Sequence, residues 1–423
     1  MALTETAPTS RSSLRVLGQR NFGPFFVGNL LSNCGTWFQN IAQALLIYRL
    51  THSTFLVGVV SFAQFAGIIF LVPWSGGAAD RFDRKRLIIG TQIGSMIVTG
   101  ALALLAVAGW DTVPVIIGLA LLLGLVTAFG SPAMNAIVPS LVSRDDLPAA
   151  IAMNSVTFNM ARAVGPVLGA LVVARFGIPW AFGLNCLSYA ALIGALLIVH
   201  PRPQEARPRT RPKLTESFQI IRQDLRLAAL LGVVASVSFA LDPVTTLAPA
   251  FATQVFHHSD TLAGYLIGAF GTGAVIAAVF ATGRSETPYR RIFIMLTLLA
   301  CGIATYAFLS PLVLAFIALG IGGFGYLAGQ TRATTLLQLG VEDHQRGRIM
   351  ALWSVCFLGT RPIASLIDGS LASLVGVHLT ALLMTLPVFA AATGMLILYR
   401  RQSRAPALHA KREVVGGRAA SHD

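Results

Sequence analysis

Asp242, Asp368, Arg162 and Arg361 stand inside long apolar runs, and they are the residues of this chain best suited to ion chemistry. A charge in hydrocarbon costs about 2.5–3.5 kcal/mol on insertion scales, so it faces a cavity or a partner. Asp242 and Asp368 are the carboxyls placed in such runs, and a carboxyl there can trade a proton with its surroundings. Asp242 precedes Pro243, which frees a backbone carbonyl and disturbs a helix. Asp368 follows Arg361 by two turns on one helical face. It reads equally as a proton carrier and as the neutralising partner of that arginine. Arg162 and Arg361 would attract an anionic solute or tune the carboxyls. Arg332, near the end of its run, reads as a snorkelling cation.

A polar stripe marks another apolar run: Asn29, Asn33, Thr36, Trp37, Asn40 and Gln43 recur at three- and four-residue steps. A helix facing lipid would not carry it. Asn33, Trp37 and Asn40 fall near the middle, where they either bind and stack on a solute or join helices. Gln64, Thr127, Asn135, Tyr326 and Gln330 are weaker cavity candidates.

The elements that hold these groups are membrane spans. The chain is 55% hydrophobic and 11% charged, with a mean hydropathy of +0.72. A soluble domain carries about 25% charged residues. Runs of about 20 apolar residues, enough to cross a ~30 Å hydrocarbon layer, recur twelve times. They cover roughly 24–48, 54–79, 87–109, 114–136, 149–174, 178–199, 226–251, 261–283, 290–309, 311–335, 349–375 and 378–399. Two-residue alternation is absent, so a β-barrel is not supported. The expected fold is an all-α membrane protein of twelve transmembrane helices.

The net charge of +14 follows the topology. With a cytoplasmic N-terminus, Arg49 and Arg175 fall outside, Arg162, Arg332 and Arg361 fall within spans, and every other Lys and Arg is cytoplasmic. That asymmetry orients a bacterial cytoplasmic-membrane protein with both termini inside, and it is not a nucleic-acid footprint. Cys34, Cys186, Cys301 and Cys356 all lie in spans, so neither a disulfide framework nor a CxxC metal site is expected. The polar start of the chain lacks a cleavable signal, and the first span serves for insertion. No nucleophile motif, phosphate-binding loop or ATP-binding domain is present. The expectation is no enzyme, no cofactor, no metal, and an ion gradient as energy source.

The spans divide six and six: tail 1–21, bundle 22–200, linker 201–225, bundle 226–400 and tail 401–423. The Pro-rich, basic linker cannot stay in hydrocarbon, and its amphipathic part from Leu214 to Leu225 suits anionic headgroups. At one fixed offset Gly124 matches Gly323, Gly130 matches Gly329, and Ala152 matches Ala351. Ser155, Val156, Phe158, Arg162 and Gly177 match Ser354, Val355, Phe357, Arg361 and Gly376. The fourth and fifth spans thus align with the tenth and eleventh as two six-helix repeats, the architecture that places a substrate path at the repeat interface.

Between the second and third spans runs W-S-G-G-A-A-D-R-F-D-R-K-R, Trp74 to Arg86. Its Gly76, Asp80, Arg81, Arg84 and Lys85 meet the pattern Gly-x-x-x-Asp-Arg-x-x-Arg-Lys, which resembles the loop of the major facilitator superfamily. The loop Gly283 to Arg291 keeps charge but loses the pattern, so a latch built on it belongs to the first half. Gly165, Pro166 and Gly169 of the fifth span resemble the Gly-Pro-x-x-Gly signature of the antiporter branch, with Ala161 and Ala170 where that signature prefers Gly. An ordinary packing kink is the other reading. Arg20 to Gln39, Val138 to Ala150 and Arg346 to Leu352 are similar to the enterobactin-exporter and macrolide-efflux group. An acid at the place of Asp242 departs from that group. The resemblance implies a proton-driven exporter of a small amphiphile such as a siderophore or antibiotic, and a monomer is expected. It also implies that Asp80 and Arg81 latch the cytoplasmic face to the eleventh helix in the outward-open state. An uptake symporter and a non-transporting scaffold or sensor are the alternatives.

Overall fold

Every regular element among the described residues is helical, and none is a strand. The computed structural model describes residues 15–202, 224–280, 288–308, 311–341 and 343–419, with side chains except at 68–69, 72–80, 155, 159, 163, 343–348, 351 and 403–419. The first half comprises α1 (Phe22–Thr51), α2 (Thr54–Arg81), α3 (Arg84–Ala108), α4 (Val113–Leu141), α5 (Leu147–Phe176) and α6 (Ile178–Ile198). Local chemistry sets their ends. Asp83 caps α3 by accepting the Arg86 N–H at 2.8 Å. Pro114, Pro148 and Pro179 sit in the first turns of α4, α5 and α6, where a missing N–H is harmless.

The second half begins with α7 (Leu225–Ala240), α8 (Asp242–Thr246), the one-turn α9 (Ala248–Ala250) and a π-helical turn, Phe251–Val255. The sequence suggests one span over 226–251. The structure breaks it, because Pro243 and Pro249 each remove a backbone donor. Then come α10 (Leu262–Phe280), α11 (Pro288–Phe308) and α12 (Leu312–Leu339). The expected run 349–375 is two helices, α13 (Asp343–Leu358) and α14 (Thr360–Val375), separated at Gly359. The run 378–399 is likewise α15 (Val377–Leu383) and α16 (Leu386–Ala419), parted before Pro387. Helix α16 continues well past residue 400, where the sequence suggests a tail.

Helices thus cover each of the twelve apolar runs, and nine among the described residues are long and apolar enough to cross a membrane. The exceptions are α1 with its polar stripe, α2, described as apolar only over Thr54–Gly67, and the interrupted α13–α14 pair. Most of the linker, 203–223, lies outside the described residues.

The internal repeat is visible in the backbone. Gly177 ends α5 at φ +90° and ψ 170°, and Gly376 ends α14 at φ +83° and ψ 163°. Their N–H groups bond Val173 and Ala372, themselves related by the repeat. A left-handed φ explains glycine at both hairpins. Gly124 of α4 meets the backbone of α2, and Gly323 of α12 meets that of α10. Across the halves, α2 packs on α14 and α5 on α10.

Candidate functional site

The two repeat-related arginines converge on one ring. The guanidinium of Arg162, on α5, lies 5.9 Å from the Trp37 ring centre, and that of Arg361, on α14, lies 6.0 Å from it. Arg162 also stands 4.3 Å over Tyr326 and donates from Nη1 to the Tyr326 hydroxyl at 2.6 Å. Arg361 stands 4.4 Å over Phe65. Each cation–π contact of this kind contributes about 0.5–2 kcal/mol, more as water is removed. Both arginines are 6% exposed, yet among the described residues Arg162 Nη2 and Arg361 Nε have no hydrogen-bond partner. A buried donor left unpaired costs about 1–3 kcal/mol. These donors suit an acceptor that arrives with a solute.

Asp242 faces the same space. Thr246 donates to its Oδ2 at 3.0 Å, the Ser365 hydroxyl faces its carboxylate, and Arg361 is within electrostatic reach. Asn40 accepts from Gln64 at 2.6 Å beside it. Trp37, Asn40, Gln64, Phe65, Asp242 and Arg361 all line a cavity of about 40 Å³, room for a water or two and for no organic solute.

The structure therefore brings Trp37, Asn40, Asp242, Arg162 and Arg361 together and leaves two candidates elsewhere. Asn33 folds back on Asn29, bonding its carbonyl and its side-chain oxygen at 2.8 Å each, and Asn29 joins Asn154 and Thr157. That part of the stripe ties α1 to α5. Asp368 makes no ion pair with Arg361; it is fully buried, and both its oxygens lack partners among the described residues. Of the weaker candidates, Gln64 and Tyr326 reach the site, Thr127 bonds only carbonyls of its own helix, and Asn135 is exposed. Sequence reasoning missed Phe65, Thr246 and Ser365. The last two sit four residues after Asp242 and Arg361, one turn along the same faces.

The antiporter-type motif packs α5 against two neighbours. A side chain at Gly165 would strike Trp37, and one at Gly169 would strike Ile41 and Phe38. On the other flank, Gly264 of α10 approaches the Pro166 carbonyl and Ala170. The halves also meet at the end carrying the 52–53 and 256–261 loops. Arg49 binds Asp260 through Nε at 2.5 Å and Nη2 at 2.9 Å, and the Asp260 carboxylate holds the guanidinium more firmly charged than usual. Tyr48 bonds Thr253 at 3.0 Å and accepts from Gln254 at 2.9 Å. Gly58 of α2 lies against the Ser365 carbonyl and Gly369 of α14.

At the opposite end, Arg84 donates to the Ala136 carbonyl at 3.0 Å and Lys85 to that of Val199 at 2.8 Å, both within their own half. Arg81 is exposed. The side chains of Gly76 and Asp80 lie outside the described residues.

Residues 11–415 match the family described as transmembrane secretion effector. The chain belongs to that family, within the major facilitator superfamily of transporters. Among its relatives, this member is 24% identical over 374 residues to the staphyloferrin A transporter of Staphylococcus aureus, covering 85% of this chain and 91% of that one. It is 27% identical over 340 residues to the enterobactin exporter EntS of Shigella boydii, covering 79% and 80%. The fold matches the crystal structure of a bacterial homologue of the human lysosomal transporter Spinster in an inward-facing, unoccupied conformation. There the TM-score is 0.71 at 13% identity, over 93% of this chain and 98% of that one. The nucleoside transporter NupG gives 0.71 at 12% identity, over 89% and 99%. This family member is thus a multi-pass membrane transporter of small molecules.

Proposed function

We propose that this transporter exports a small anionic amphiphile, such as a siderophore or an acidic antibiotic, in exchange for protons. The observation that carries the reading is the pair of buried arginines around Trp37, each with a donor left unused. An anion with an aromatic part answers both features, since it supplies acceptors to the donors and a face to the indole. Two relatives are named for siderophore transport, one for staphyloferrin A and one for enterobactin.

The protein sits in the bacterial cytoplasmic membrane with both termini inside, as the basic asymmetry of the sequence favours, and works as a monomer. Bodies 22–200 and 226–400 rock about the Arg162–Trp37–Arg361 site. The Arg49–Asp260 end then faces outward and is closed, and the site fills from the cytoplasm. Gly165, Pro166 and Gly169 keep α5 tight against α1 and α10 during that closure, which suits export over uptake. Asp80, Arg81, Arg84, Lys85 and Gly76 form the latch of the opposite state. Arg84 and Lys85 bonded within their own half are consistent with an unlatched form. Asp242 and Asp368 are the carboxyls available for proton coupling.

The test is efflux from inverted membrane vesicles loaded with a pH gradient, using 2,3-dihydroxybenzoate and a neutral analogue of similar size. Accumulation of the anion that depends on the protein and the gradient is expected. Equal uptake with and without the protein for all anionic amphiphiles tried would sink the reading.

A further inference from the structure

The two membrane carboxyls are both buried, 1% exposed at Asp242 and 0% at Asp368, and they differ in their partners. Asp242 lines the cavity, accepts from Thr246, faces the Ser365 hydroxyl and feels the Arg361 cation. These contacts compensate a negative charge that is as deeply buried as any on Asp368, and Asp368 has no such contacts among the described residues. Asp368 is absent from the cavity wall and 0% exposed, and neither oxygen has a hydrogen-bond partner among the described residues.

Among the described residues no neighbour gives Asp368 an ion pair or a formed hydrogen bond. Asp242 is within electrostatic reach, and it is a second acid. Tyr306 of α11 is close enough to feel the carboxyl, is itself fully buried, and has an unpartnered hydroxyl. Helix α15 packs on both α11 and α14. Its Thr380 hydroxyl is also unpartnered, and its His378 commits Nδ1 to the Ala307 carbonyl. Helix α2 crosses at Gly58 and brings Thr54, with no titratable residue between 54 and 67. Arg361, on the same helix as Asp368, makes no ion pair with it.

An ionised carboxylate in that pocket would be a buried charge without partner, which proteins avoid by neutralising the group. A metal ion would find one carboxylate and little else, since no cluster of three His, Cys, Asp or Glu exists among the described residues. A proton needs no further ligand.

We propose that Asp368 is the group that holds the coupling proton, while Asp242 remains the counter-charge of Arg361. The assignment rests on the proton-exchange reading above and divides its two acids by role. The location gives the held proton a gate. Asp368 is one turn beyond Ser365, and the next residue, Gly369, is pressed against Thr54 and Gly58 of α2. The proton is therefore stored behind the α2–α14 crossing. Parting that crossing exposes the acid to the outer medium, and its O–H bond exchanges the proton with water there.

Infrared spectroscopy of the full-length protein in lipid vesicles tests this without a solute. A buried carboxylic acid shows a C=O stretch above the amide band. Wild type and Asp242→Asn should keep such a band at neutral pH, and Asp368→Asn should lose it. Asp368→Glu, which preserves the chemistry should Asn disturb folding, should keep it at a shifted frequency. No band in wild type, or a band surviving in Asp368→Asn, overturns the assignment. Gradient-driven 2,3-dihydroxybenzoate efflux in the same vesicles is read separately. A band in wild type with gradient-independent efflux ends the proton-exchange reading and leaves the proton on Asp368.

Discussion

Arg162 and Arg361, equivalent under the internal repeat, stand 5.9 and 6.0 Å from the same Trp37 ring, one from each half of the molecule. A solute held between them touches both halves at once, so its binding can bias their relative position. Arg162→Gln should weaken an anionic probe by about ten- to a hundredfold, since a hydrogen bond to a charged group contributes about 1.5–3 kcal/mol. A neutral probe of matched size should change little. Binding titrations of both probes check this, and equal losses for the two would remove the anion site.

The Arg49–Asp260 pair bridges the halves at one end of the bundle. With the Arg49 side chain 42% exposed, the pair is worth little alone, about 0.2–1 kcal/mol. Arg49→Asp adds repulsion and should open that end measurably. Arg49→Asp combined with Asp260→Arg should restore closure. Labelling of a cysteine placed at Thr253 reads the opening, and an additive double variant would show that the pair does not couple.

Gly58 faces backbone of α14 with no room for a Cβ. Gly58→Val should prevent the crossing from closing while α2 stays helical, and cysteine labelling beside Ser365 should rise several-fold. Unchanged labelling with transport intact would mean the crossing opens and closes by another route.

Asp80→Asn should leave insertion intact and cut transport sharply, as the superfamily-like loop implies. Transport in vesicles at the wild-type rate would detach the motif from the cycle.

Asp146 accepts from Ser143 and from Gln19, each at 2.8 Å, and both donors hold its carboxyl below the usual range. The stabilisation is present above the ordinary Asp range and is lost as pH falls through the lowered value. Asp146→Asn should therefore melt earlier than wild type at neutral pH, with the gap closing in acid. A gap independent of pH would assign the effect to packing.

Much of the site was legible because rare residues stand out in apolar sequence. Arg162 and Arg361 announce themselves by cost and by the repeat, and Pro243 marks the broken span. What stayed hidden is instructive. Ser365 and Phe65 are ordinary residues in a membrane helix, so no contrast reveals them. Arg49 and Asp260 lie 211 residues apart, and nothing local pairs them. Asp368 shares a helical face with Arg361, but seven residues rise about 10 Å along a helix, too far for a direct pair.

The crossing of α2 and α14 also matters to a resting cell. It closes with glycine against backbone, Gly58 on the Ser365 carbonyl and Gly369, and the Thr54 hydroxyl bonds the Gly369 carbonyl beside it. A chain of hopping protons needs waters or hydroxyls in sequence, and a contact too tight for a methyl group admits no water. On the proton-exchange reading, this closed contact is what keeps an idle copy from draining the gradient.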